Sequence, residues 1–277
     1  MPKNIILNSI KESFSLIWKN KSLFILLFIL QIIFFAFFFY MNMSYQTKIL
    51  ESAKAITDYL SQQRLDEASV ASSILEQKSI LGDDPLLISR NFNEIVKNFR
   101  LYLIYIFLLL ILYISISWVI TNKLVHNINF KKLAKHFFKI FIALLFYLGF
   151  IFLFFFSLFN ISFTGIAAES SKLLAKYVPF LIFSIILAYF MFVSLALLHN
   201  TESKNIVQKT LVVGIKKFHY VLAVYFINIL LFGMSISLLY YFIEKNLFIL
   251  LLSILLMIFS FVFGRIFMVK VVEKLSG

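Results

Sequence analysis

The sequence predicts an all-α integral membrane protein with six transmembrane helices, and three observations carry that reading. Of the 277 residues, 62% are hydrophobic and only 14% charged, a balance of the membrane class rather than of a soluble domain. Six runs hold roughly 20 or more mostly apolar residues, the length that crosses about 30 Å of hydrocarbon at about 1.5 Å per residue. The formal net charge of +13 is spread through short segments between those runs, which makes it a topology signal and argues against a nucleic-acid partner. Cysteine is absent, which excludes disulfides, thiolate metal sites and a cysteine nucleophile.

The spans fall at about 22–43, 101–121, 138–163, 178–199, 219–242 and 247–269 within a single membrane domain. The first follows Lys19 and Lys21 and ends at Phe39, Tyr40, Met41 and Asn42 with no small-residue cleavage pattern, so it reads as a retained signal anchor. Trp18, Trp118 and Tyr220 suit one membrane interface, and Tyr40, Tyr45, Tyr102, Tyr177, Tyr240 and Tyr241 the other.

Orientation follows from the bases. One side holds Lys3, Lys11, Lys19 and Lys21, then Lys123, Lys131, Lys132, Lys135 and Lys139, then Lys204, Lys209, Lys216 and Lys217, and finally Arg265, Lys270 and Lys274, against only Glu12, Glu202 and Glu273. On the other side the bases are balanced by acids, most of both in residues 44–100. The excess of Lys and Arg marks the cytoplasmic face, which puts both termini there and requires an even number of spans.

A short basic segment with apolar residues at helical spacing precedes spans one, three and five. The stripes are Leu7, Ile10, Phe14, Ile17 and Trp18; Phe130, Leu133, Ala134, Phe137 and Phe138; and Val207, Leu211, Gly214, Ile215 and Phe218. Opposite them stand Lys11 and Lys19, then Lys131, Lys132, Lys135 and Lys139, then Lys209, Lys216 and Lys217. Such segments lie in the headgroup plane, each lysine near an anionic surface contributing about 1 kcal/mol. The pattern predicts three transmembrane hairpins, each preceded by a cytoplasmic interfacial amphipathic helix. Any inner loop of a membrane protein is also basic and partly apolar, which is the plainer account of the same residues.

Two stretches, "NSIKESFSLIWKNKSLFILLFILQIIFF" at the start and "HNTESKNIVQKTLVVGIKKFHYVLAVYFINILL" around the fifth span, resemble a broad family of bacterial and archaeal six-span proteins. That family includes the membrane domain found beside glycerophosphodiester phosphodiesterases. The resemblance implies a membrane domain of undefined activity and assigns no site residues. The phosphodiesterase barrel has no counterpart in this sequence, so the resemblance does not imply head-group hydrolysis.

Residues 44–100 contain Gly and Pro only at Gly82 and Pro85 and read as an extracytoplasmic helical insert. Ile49, Ala53, Ile56 and Leu60 continue the first span outward, and a second helix is expected over about 65–81. After "GDDP", Asp84 and Pro85 make a helix start in which the carboxylate accepts a backbone N–H. The insert is expected to be a packed cap, with ligand or partner binding as the sharper alternative.

No ionisable residue is expected near a midplane, and Arg265 is read as snorkelling to the cytoplasmic interface, where it could meet lipid phosphate. Gln31 and Asn228 fall mid-span and need partners inside the bundle, and Tyr147 and Tyr189 are also central. Together these four are candidate intramembrane polar contacts. Gly233 and Ser237 form a small-xxx-small pair suited to close helix approach. His126, His136, His199 and His219 cluster at the cytoplasmic edge without a ligand spacing, and Glu169 with Ser170 and Ser171 lacks a base or an oriented triad.

No enzyme activity, cofactor or metal is therefore expected. The chain reads as a polytopic membrane protein that organises lipid, above all anionic inner-leaflet lipid, or partner proteins. Passive or facilitated transport of a small uncharged or amphipathic solute is the alternative. Lys11, Lys19, Lys131, Lys132, Lys135, Lys209, Lys216, Lys217 and Arg265 are the candidate lipid-phosphate contacts. In a peptide of the second basic segment, Lys131→Glu with Lys132→Glu and Lys135→Glu should weaken association with anionic vesicles, more at low salt than at high; unchanged binding in a vesicle-sedimentation assay removes the lipid-surface role of that segment.

Overall fold

The computed structural model describes residues 5–62, 84, 86–158, 163–199, 205–243 and 245–276. Among them every regular element is helical: α1 Ile5–Lys19, α2 Lys21–Gln62, α3 Leu86–His126, α4 Phe130–Leu158, α5 Phe163–Leu197, α6 Ile206–Leu211, a π-helical turn Val212–Lys216, α7 Phe218–Phe242 and α8 Leu247–Ser276. Six of these, α2, α3, α4, α5, α7 and α8, are long and apolar enough to cross a membrane. The protein is thus an all-helical, multi-pass membrane protein.

Packing concentrates at one end. Trp118 and Leu124 of α3, Ile140 and Leu144 of α4, Val193 and Leu195 to Leu197 of α5, Val221 and Val224 of α7 and the apolar residues between Val262 and Val272 of α8 supply most of the buried cluster. Toward the other end of α7 and α8, Met234, Tyr240, Tyr241, Leu247 and Phe248 are exposed. The first helix and the last turns of α8 lie at the packed end, where Lys274 Nζ meets Glu12 Oε1 at 2.6 Å. The central element is α8, which touches α1, α2, α3, α5 and α7. Trp118, expected at an interface, is instead only 1% exposed and stacks on Phe192 inside the bundle.

In α1 the buried residues are Ser9, Ser13 and Ile17. Small side chains at this spacing let backbones approach, and the Ser13 hydroxyl is satisfied by the Ser9 carbonyl at 2.7 Å. The expected apolar stripe is consequently split. Ile10 and Ile17 pack on the core, while Leu7, Phe14 and Trp18 are exposed, Phe14 still touching Phe263 at 4.8 Å between ring centroids. The second basic segment is not a separate helix. It forms the first turns of α4, because no proline or glycine interrupts residues 130–148 and the amide ladder continues into the span. The turn falls earlier, at Asn127, whose φ of 49° is a left-handed conformation that Asn tolerates. The third segment is α6 with its π turn, parted from α7 at Lys217.

The start and finish of the 44–100 insert continue α2 and α3, which pack along each other through Phe34 on Tyr113 and Tyr45 on Tyr102 and Tyr105. At the far end the Asp84 amide donates to the Tyr59 hydroxyl at 3.0 Å. The expected helix over 65–81 lies outside the described residues. At the start of α3 the Asp84 carboxylate pairs with Arg90, and it is the Asp84 carbonyl that accepts the Leu87 amide. The described part of span three runs to Leu158, and the backbone of 164–177, between the expected spans three and four, belongs to α5.

Glycine placement also departs from expectation. A Cβ at Gly233 would meet nothing within 4 Å, so the Gly233 and Ser237 face makes no close approach. The tight contacts of α7 with α8 are instead Ser235 on Ser260 and Asn228 on Gly264. At Gly214, in the π turn, a Cβ would lie 2.7 Å from Phe190 Cε1, while the Gly214 carbonyl accepts the Tyr189 hydroxyl at 2.8 Å. Gly214→Ala should therefore destabilise the protein by about 1–3 kcal/mol through overpacking. Gly233→Ala should leave stability within about 0.5 kcal/mol, a contrast that thermal unfolding in detergent would measure.

Candidate functional site

A polar group inside hydrocarbon must find its partners within the protein. Gln31 on α2 is 1% exposed, and its Oε1 accepts a hydrogen bond from the Tyr113 hydroxyl of α3. The same hydroxyl accepts from Arg265 Nη1 of α8 at 3.1 Å. The guanidinium carbon lies 5.6 Å from the Tyr113 ring centroid, and Phe34 stacks on the ring's face at 4.0 Å. Three helices are thus joined through one phenol.

Gln31 is ten residues along α2, about 15 Å from its start, and Tyr113 is about 20 Å from the end of α3. Asn228 is ten residues along α7, again about 15 Å from its start. All three therefore sit about 15–20 Å in from the packed end of their helices. Arg265 belongs to this level by its contact with Tyr113, so its side chain turns into the bundle and not along α8 toward the end of the helix as expected. Its position in the last turns of the apolar run hid this, because α8 continues to Ser276 and the side chain is turned inward.

Asn228 Nδ2 donates to the Gly264 carbonyl at 3.3 Å. Its Oδ1 is buried without a partner, as are Nε and Nη2 of Arg265. An unsatisfied buried polar atom costs about 1–3 kcal/mol, and an arginine at mid-membrane costs about 2.5–3.5 kcal/mol on insertion scales. Beside them lies a cavity of about 240 Å³ lined by Trp118, Phe192, Tyr225, Asn228, Ile229, Phe232, Ser260, Phe261, Gly264, Arg265 and Met268. Its wall is largely aromatic and aliphatic. Among the described residues no carboxylate pairs with Arg265.

The four expected polar contacts are not brought to one place. Gln31 is sealed between α2 and α3 and does not line the cavity, whereas Asn228 does. Tyr189 bonds to Gly214, and Tyr225 donates to the Tyr189 carbonyl at 3.1 Å. Tyr147 packs beside Phe146 at the edge of the core. Sequence reasoning missed Tyr113, which nothing in the sequence distinguishes from the other tyrosines.

At the packed end, Lys11, Lys19, Lys131, Lys132, Lys135, Lys209 and Lys216 are exposed and Lys217 is half-buried. Three of the four histidines converge there: His199 stacks on His126 at 4.1 Å and meets His136 edge-on at 5.7 Å. His136 Nε2 is 3.0 Å from Asn122 Nδ2, and His126 Nδ1 is 3.6 Å from Glu273 Oε1. His219 is elsewhere, against Tyr220. Among the described residues no group of three His, Cys, Asp or Glu is arranged to hold a metal ion.

Comparison with protein-family models, curated proteins and solved structures finds no match. Tyr113→Phe removes the hydroxyl that serves both Gln31 and Arg265 and should cost about 1–3 kcal/mol of stability. Tyr147→Phe should stay within about 0.5 kcal/mol. Thermal unfolding of both variants in one detergent measures the difference.

Proposed function

We propose that the protein is a non-enzymatic membrane protein that organises lipid, gathering anionic lipid of the inner leaflet around its basic end. The observation that carries this reading is the set of exposed lysines at the packed end, contributed by α1, the start of α4, α6 and the π turn. Beside them Leu7, Phe14 and Trp18 of α1 and Val207, Leu211 and Ile215 near α6 are exposed. Apolar side chains next to exposed lysines suit a headgroup layer of negative charge, with the aliphatic stems of the lysines lying along it. The orientation taken is both termini cytoplasmic, with the three basic segments each leading into a hairpin of spans, two of them across a break and one without.

Transport of an uncharged solute through the bundle has weaker support, since Gln31 is sealed and only Asn228 of the two mid-span amides borders a cavity.

The lipid reading is tested with the full-length protein in mixed vesicles carrying spin-labelled phosphatidylglycerol or phosphatidylcholine, measuring the motionally restricted fraction of each. The wild-type protein should prefer phosphatidylglycerol several-fold. Replacing Lys11, Lys19, Lys131, Lys132, Lys135, Lys209, Lys216 and Lys217 by Gln should bring the two lipids to parity, as should molar salt acting on the wild type. Equal preference in wild type and variant would overturn the proposal.

A further inference from the structure

We propose that the cavity between α3, α5, α7 and α8 binds a membrane-borne, single-chain amphiphile whose head is a phosphate monoester, held by Arg265 and Asn228. This site is separate from the lysine surface and does not depend on that reading.

The guanidinium of Arg265 gives Nη1 to Tyr113 and leaves Nε and Nη2 without partners. Those two nitrogens form the side edge of the guanidinium, whose parallel N–H bonds fit two oxygens of one carboxylate or phosphate. Tyr113 is held in turn by Gln31, so the phenol that anchors the opposite side of the arginine is itself fixed. Among the described residues no acid competes for that edge, and an anion brought to it would neutralise a half-buried cation in apolar surroundings.

Asn228 narrows the head group further. With Nδ2 spent on the Gly264 carbonyl, the amide cannot be reversed without setting two oxygens against each other, so Oδ1 remains an acceptor in want of a donor. A carboxylate supplies acceptors only. A phosphate monoester carrying one proton supplies acceptors for Arg265 and an O–H for Asn228. Nε, Nη2 and Oδ1 are closed to water, so pairing requires the long arginine side chain and the amide to turn toward the cavity they line.

Size and position select the rest of the ligand. About 240 Å³ accommodates the head and the first methylenes, against Trp118, Phe192 and Phe232. Two lining residues, Ile229 and Phe261, are 67% and 38% exposed on the outer faces of α7 and α8. At the level of Asn228 that face is hydrocarbon, so access is lateral from the bilayer and the tail leaves by the same gap. A second chain would have to leave by the same gap, and about 240 Å³ leaves no room for it beside the head and the first chain.

The probe is dodecyl phosphate, titrated into full-length protein in phosphatidylcholine nanodiscs. In a Trp18→Phe background Trp118 is the remaining tryptophan of the two, and it lines the cavity, so its fluorescence reports occupancy. Saturable binding at one per chain is expected, with inorganic phosphate and dodecanol at least tenfold weaker. Arg265→Lys, which lacks the fork, should weaken dodecyl phosphate about tenfold or more, and Asn228→Leu should weaken dodecyl phosphate while leaving dodecanoate unchanged. Ile229→Phe, at the exposed mouth, should obstruct binding with the arginine network untouched and no second tryptophan added, which covers the case in which an Arg265 variant does not fold. The lysine-to-glutamine protein should bind as wild type. Dodecyl phosphate binding no tighter than dodecanol, or equal binding by wild type, Arg265→Lys and Ile229→Phe, overturns the site. Inorganic phosphate binding as tightly as the alkyl ester overturns the membrane-borne source.

Discussion

The polar interior of this bundle hangs on the hydroxyl of Tyr113, which gives its hydrogen to Gln31 and receives one from Arg265. In hydrocarbon there is no water to take over either bond, so three helices distant in sequence are held in one register by a single oxygen. The remaining polar contacts at that level are weaker or incomplete. Asn228 reaches Gly264 with one atom and leaves the other bare, and the arginine keeps two donors in hand. Stability alone would favour an apolar residue at position 265. The unspent hydrogen-bonding capacity is gathered at one place, beside a cavity.

The architecture around that point follows from α8. Its small residues, Ser253, Ser260 and Gly264, and its buried run from Val262 to Val272 let neighbouring helices close on it from several sides. The two buried serines of α1, Ser9 and Ser13, do the same from the terminal end. Association in a membrane draws on close packing and hydrogen bonds, with little hydrophobic drive between helices. Where small residues face outward, as Gly233 does on the outer stretch of α7, the helix gains no close neighbour there and leaves side chains such as Met234 and Tyr240 exposed.

Much of the fold was legible because apolar length and charge are one-dimensional quantities. The six runs of apolar residues and the basic segments between them required no knowledge of contacts. What escaped was rotation about each helix axis. The stripe of α1 was visible, but not that Ser9 and Ser13 would turn inward; Gly233 and Ser237 had the right spacing and faced the wrong way. Continuity was equally hidden at Phe130, where the basic segment and the span are one helix and only Asn127 marks the turn. At the candidate site Gln31 and Asn228 stood out as amides in apolar runs. Tyr113 did not, and Arg265 was misjudged because its depth depends on where the side chain points, not on its distance from the end of the run.

The pairing of α2 with α3 has a mechanical side. With 42 residues, α2 is about 63 Å long, roughly twice the hydrocarbon thickness, and it stays against α3 from Gln31 on Tyr113 to Tyr59 on Asp84. Two unbroken helices clamped along their length act as a stiff beam whose foot is the Tyr113 contact and whose tip stands clear of the bilayer. A tilt of about 10° at the foot carries a tip some 45 Å away through about 8 Å, given the rise of a straight helix. A small rearrangement around Arg265, too slight to disturb the packed end, is thereby magnified into a displacement on the far side of the membrane.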